Sequence, residues 1–203
     1  METMREVAHA AMNQIPPECR VRTRDAEIIQ RYRDALLALE PDVIKGFYDT
    51  LYSHPATAAV FVDGERQARE GTLSNWWRRT VNGPLDEAYF TWMATVGLVH
   101  VVRRVSNPMM LSMAGYVASM VGEKVAEMQL DHAEAEALVE AFRRLSSTVG
   151  SIISFGYDRA YDKAVQMALF DLAGMPEALF QRLVTQEVNS ALTRARSEGA
   201  DHA

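Results

Sequence analysis

The sequence predicts an all-α chain, and three observations carry that expectation. Apolar residues recur at helical spacing along almost all of the 203 residues. No stretch alternates β-branched and polar residues, and no Asn-Gly turn joins two apolar runs. Prolines and glycines cut the chain into pieces of helical length. With 48% hydrophobic residues the chain has the material for one sizeable core and an appendage.

The elements follow in order. A short helix is expected over Arg5 to Gln14, ended by Pro16-Pro17. A second starts at Thr23, whose hydroxyl would cap it, and runs to about Leu39. Pro41 suits the first turn of a third helix, PDVIKGFYDTLYSHP, which stops before Pro55. The apolar piece ATAAVFV and Asp63-Gly64 lead into the helix ERQAREGTLSNWWRRTV, broken by Asn82-Gly83-Pro84. The helix DEAYFTWMATVGLVHVVRRV follows, and Asn107-Pro108 opens another, from about Met109 to Gln129. Asp131 caps a helix expected to reach Leu172, about 40 residues and on the order of 60 Å at 1.5 Å per residue. Gly174 and Pro176 stop it, and a last helix spans Pro176 to Arg196, before a disordered tail SEGADHA. The expected division is 1–172 and 173–203.

Composition excludes several classes. A net charge of −6 argues against nucleic acid as the main partner. A lone cysteine, Cys19, leaves no disulfide framework and fits a reducing compartment. No apolar run nears the roughly 20 residues needed to cross a bilayer, and the N-terminus lacks a signal-peptide core. A soluble cytoplasmic protein is expected. No HExxH, P-loop or GxSxG motif occurs.

Five histidines remain. His9 and His202 lie near the termini, His54 sits at a helix end before Pro55, and His132 with Glu136 reads as a solvated acidic turn. His100 lies instead among apolar residues, on a face with Met93, Val96, Gly97 and Arg104. One reading is a core histidine bonded to a backbone carbonyl. The other is a metal ligand, with Gly97 removing a side chain where a flat cofactor would approach. Tyr48 stands similarly between a core residue with its hydroxyl at the surface and a hydrogen-bond donor inside a pocket.

The segments GFYDTLYSHP (Gly46 to Pro55), ERQAREGTLSNWW (Glu65 to Trp77) and TVGLVHVVRRVSNP (Thr95 to Pro108), in that order, resemble the sensor-globin family. That family comprises globin-coupled sensors, their single-domain relatives and the protoglobins. The resemblance covers about residues 20 to 170, and the glycine three residues before the histidine is its most specific part. It implies a globin-like fold with an extra N-terminal helix and an additional C-terminal helix, holding one haem b. His100 would be the proximal iron ligand and Tyr48 the distal donor to O2, CO or NO, with Thr72 and Leu73 as further distal candidates. Phe47, Leu51, Phe61, Trp76, Met93, Gly97 and Met113 would wall the cofactor. Arg69, Arg103 and Arg104 are near enough to meet its propionates, although each also reads as ordinary surface charge. The longer N-terminal segment of protoglobins is not evident, which points to the sensor branch, and no output domain is expected after the globin region.

The function expected is a gas or redox sensor. It would signal through a homodimer built on the last two long globin helices, where Ala114, Gly115, Ala118, Gly150 and Ser151 allow close approach, or through a partner protein. Alternatives are a haem enzyme on the same fold, a nitric-oxide dioxygenase or peroxidase-like protein, and a haem-free interaction module. The last helix carries a stripe, Leu179, Phe180, Leu183, Val184, Val188, Ala191 and Leu192, that would pack on the globin body or a dimer mate, or dock a partner.

Overall fold

The computed structural model describes residues 2–200, with side chains placed through 194. Among these residues there is no strand. α1 (Met4–Gln14) opens with a capping box: Thr3 Oγ1 accepts from the Glu6 N–H, and Glu6 accepts from the Thr3 N–H at 2.7 Å. A 3-10 turn (Pro17–Cys19) leads to α2 (Thr23–Arg31). Thr23 does not cap that helix but is its first residue. The Asp25 carboxylate, at the third helical position, reaches back to accept from the Arg22 N–H at 2.8 Å. The helix expected to run to Leu39 is broken at Tyr32, whose backbone (φ −98°, ψ 15°) separates α2 from α3 (Arg33–Ala38).

α4 (Glu40–Ser53) has Pro41 in its first turn and stops at His54, held extended by the proline that follows. α5 (Pro55–Ala58) is a single turn, and α6 (Arg66–Asn82) ends at Gly83, whose φ of 64° suits glycine. α7 (Glu87–Arg103) starts on Asp86, which accepts from the Tyr89 N–H at 2.9 Å. It ends at Arg104 in the left-handed conformation, φ 56°. α8 (Asn107–Glu127) carries Pro108 in its first turn, and Asp131 caps α9 (His132–Ala173) through the Glu134 N–H at 3.0 Å. After Gly174 (φ 62°) comes α10 (Glu177–Ala200). The segment expected as a disordered tail is therefore helical over 197–200. Residues 201–203, with His202, lie outside the described residues.

The chain divides into two units, one through Asp158 and one from Arg159 on. In the first, α1 lies on α7, and α3, α4 and α6 pack successively. The core holds Trp77, Met93, Leu138, Phe142, Leu145 and Ile152, all essentially out of water. Trp77 stacks on Phe142 at 5.8 Å and donates its indole N–H to the Leu36 carbonyl at 3.1 Å. In the second unit, Leu183, Val184, Val188 and Leu192 of α10 are exposed, as are Met167, Phe170 and Leu172.

Two packing devices matter for the site. The first is the ion pair that ties α2 to α9: Arg144 donates to both oxygens of buried Asp25, at 2.6 and 2.8 Å. Burial resists ionisation of Asp25, but the Arg144 guanidinium and the Arg22 N–H prevail and hold the carboxyl below its usual value.

The second is the approach of α7 to α9. A Cβ on Gly97 would stand 2.6 Å from the Ile153 carbonyl oxygen and 2.7 Å from the Tyr157 nitrogen. On the other helix, a Cβ on Gly156 would stand 2.7 Å from the Ala94 carbonyl oxygen. Gly97 thus clears space for a neighbouring helix. Of the small residues expected on a dimer face, Gly150 is turned inward: its open side meets Leu111, Met110 and Ala114 of α8.

Replacing Arg144 by Met strands a buried carboxylate, and urea unfolding is expected to show a loss of about 3 kcal/mol. The carboxylate's contribution is present above its ordinary value of 3.8 and is lost as pH falls below it. Gly97→Ala is expected to destabilise the fold by about 2 kcal/mol or more, because backbone on both sides must move. Gly71→Ala on α6, where a Cβ meets nothing within 4 Å, should instead gain up to about 1 kcal/mol. Thermal melts of the two variants side by side check this contrast.

Candidate functional site

A cavity of about 360 Å³ lies among α4, α6, α7, α8 and α9 of the first unit. That is near the lower end of the range of about 300–1,000 Å³ typical of small-molecule sites. α4 contributes Phe47, Tyr48 and Leu51, one helical turn of a single face. The strap after α5 contributes Val60 and Phe61. α6 contributes Arg69, Thr72, Leu73 and Trp76, and α8 contributes Met109, Met110, Met113 and Val117. From α7 come Trp92, Met93, Val96, Val99, His100 and Arg103.

Nearly every residue singled out from the sequence is therefore brought to one cavity: His100, Tyr48, Thr72, Leu73, Phe47, Leu51, Phe61, Trp76, Met93 and Met113. Gly97 is not among the lining residues. It sits about 100° around α7 from Val96, which turns it toward α9. Arg104 is absent from the lining too, because it closes α7 in the left-handed conformation. The lining residues not anticipated include Trp92, Val99 and Met109. Trp92 and Val99 share a face with Val96 and Arg103 at spacings of three and four, a signal the sequence does contain.

The polar groups are few. His100 is partly buried, and its Nδ1 is buried with no hydrogen-bond partner among the described residues. The backbone carbonyl partner that a structural histidine calls for is missing, and such an orphan costs about 1–3 kcal/mol. Burial pushes the imidazole pKa down to about 4, so the ring is neutral at pH 7 with a lone pair to offer.

Tyr48 is 6% exposed, and its hydroxyl donates to the Arg69 carbonyl of α6 at 2.7 Å. Burial raises the phenol well above its ordinary value, so it stays a proton donor. Phe47 and Phe61 set their rings edge-on to it, at 5.3 and 6.1 Å. The Thr72 hydroxyl is occupied locally, donating to the Ala68 carbonyl at 3.2 Å.

One charged cluster touches the cavity. Glu65, at the start of α6, accepts from the Val62 N–H at 2.8 Å, from Arg69 at 3.1 Å and from Arg103 of α7. The Val62 N–H is the foremost of the groups that hold its carboxyl down to about 2, with the two arginines adding to it. Elsewhere, His132 and Glu136 form an exposed pair, and the described residues contain no cluster of three or more metal-ligating side chains.

The model of the Protoglobin family matches residues 19–163, well over half of the chain and a span that contains every lining residue named above. The chain belongs to the Protoglobin family. No curated protein matches its sequence. Members of the family are globins that bind haem and diatomic gases, so the helices through α9 form a globin fold. The cavity suits that family's cofactor in chemistry: a mostly apolar wall, one neutral unpartnered imidazole, and positive charge at one side. No helix among the described residues is long and apolar enough to cross a membrane.

The buried imidazole has a consequence for the chain without any bound molecule. The unfolded chain takes up a proton near pH 6.5 that the folded chain refuses until about pH 4. Stability is thus full above 6.5 and falls between 6.5 and 4, by at most roughly 3 kcal/mol. His100→Leu should flatten that part of the profile in denaturant titrations run at several pH values. Equal slopes in the two chains would count against an imidazole buried in its neutral form.

Proposed function

We propose that the cavity holds haem b, with His100 as the iron's protein ligand and Tyr48 on the opposite side, and that the protein is a gas sensor. The observation that carries this is the His100 ring: neutral, partly buried and unpartnered at Nδ1, in an otherwise apolar cavity. An imidazole held neutral in an apolar wall has a lone pair free for a metal. When bound, haem would supply an iron able to take a diatomic gas, and His100 would hold that iron.

The chain's own groups do the rest. His100 offers its lone pair without first losing a proton, because burial has already displaced it. Tyr48 holds a proton at Oη but has only one to give. To donate into the cavity it must leave the Arg69 carbonyl. Gas binding is thereby coupled to α6. On the other side, α7 sits backbone against backbone on α9, so a displacement of His100 is passed to α9 with little slack. The two couplings are the means by which occupancy at the iron would bias the packing of the helices. The receiver in this reading is a homodimer through α8 and α9, or a protein docked on the exposed apolar stripe of α10.

Reconstituted with haem, the protein should show a Soret band that shifts on adding CO to the reduced form. His100→Ala should lose the histidine-ligated spectrum, and an unchanged spectrum removes His100 from the iron. Tyr48→Phe should raise the oxygen off-rate by about tenfold or more, the worth of a hydrogen bond to a polarised acceptor.

A further inference from the structure

The Glu65 cluster lies at the side of the cavity, and its composition is uneven. Arg69 and Arg103 both line the cavity, and both donate to one carboxylate. Two positive charges against one negative leave a positive charge at this side of the cavity. Among the described residues, Glu65 is the one side-chain partner of either guanidinium. Each guanidinium has five N–H donors, so donors remain. The arginines are 31% and 26% exposed, against 15% for Glu65, so the acid lies deeper than the bases. They come from different helices, α6 and α7, and Glu65 also holds the Val62 N–H of the strap that carries Val60 and Phe61 to the cavity wall.

We propose that Arg103, assisted by Arg69, is the carboxylate-binding point of this cavity, and that Glu65 occupies it as an internal stand-in until a ligand carboxylate displaces it. The class of ligand is a flat apolar body with carboxylates at one edge. The inference rests on the haem reading above, because haem's two propionates are the carboxylates of that class. The site is selective by charge: a neutral ring of the same shape gains the apolar contacts and His100 but nothing from the arginines. Glu65 competes with the ligand, so the acid that fastens the strap also weakens retention.

The test compares haem with haem dimethyl ester, in which the carboxylates are neutral. Release of each into excess apomyoglobin is timed by the Soret band and by recovery of tryptophan fluorescence, since Trp76 and Trp92 line the cavity. The full chain should retain haem about tenfold or more longer than the ester, the worth of a charge-assisted bond. Arg103→Leu should bring haem to the ester's rate and leave the ester unchanged. Glu65→Gln, which keeps an acceptor for Val62 but sheds the competing charge, should slow haem release alone. Arg103→Lys should give an intermediate ratio and provides the comparison where the leucine variant does not fold. Equal retention of haem and ester by the unaltered chain, or a loss in Arg103→Leu shared equally by both, overturns the assignment of the arginines while a His100-dependent spectrum leaves the haem reading standing. If neither compound quenches the tryptophans or develops a Soret band, both readings fall together.

Discussion

The geometry of the cavity depends on how closely α7 lies on α9. At Gly97 and Gly156 each helix occupies the space where the other would carry a Cβ, so the two backbones touch with nothing between. A contact of that kind fixes rotation as well as distance. With Gly97 turned to α9, the face one residue away, bearing Val96, His100 and Arg103, is turned into the cavity. A bulkier residue at either position would push the helices apart and swing His100 with them. The absence of a side chain at position 97 is thus required by α9.

Buried polar groups elsewhere in the first unit are satisfied, which makes the exception informative. Asp25 has Arg144 and the Arg22 N–H. The Thr80 and Tyr89 hydroxyls have each other at 2.8 Å, and Thr148 accepts from the Val21 N–H and donates to the Arg144 carbonyl. Against that background, His100 Nδ1 is the one buried side-chain nitrogen or oxygen among the described residues left without a partner. Folding tolerates such a group where something else gains from it.

The helices were legible because proline, glycine and capping residues mark most of their ends. Pro41, Asn82-Gly83-Pro84, Pro108, Asp131 and Gly174 all fall at or within a turn of a boundary. The break at Tyr32 was not legible, since nothing in IQRYRDALL disfavours helix; it falls where the Tyr32 hydroxyl donates to Glu134 on α9. The cavity wall was legible for residues sharing a helix face, such as Phe47, Tyr48 and Leu51. The contact of Gly97 with α9 is not legible, because sequence spacing relates Gly97 to His100 but not to α9, which lies some 55 residues further along. Arg103 looked like surface charge for the same reason: its partner, Glu65, lies on another helix.

Two hydrogen-bond systems that involve the cavity converge on the first turn of α6. Tyr48 donates to the Arg69 carbonyl, while the Arg69 side chain and Arg103 donate to Glu65. One residue, Arg69, therefore takes part in both, through its backbone in one and its guanidinium in the other. In the proposed reading, a phenol proton spent inside the cavity would leave the Arg69 carbonyl, and a carboxylate bound at the arginines would draw them from Glu65, which keeps the Val62 N–H. Both events would act on the same turn, which would couple them without any contact between the molecules responsible. Such a coupling would be reciprocal by thermodynamic necessity: whatever drawing Tyr48 from α6 does to the exchange at Glu65, the exchange does to Tyr48.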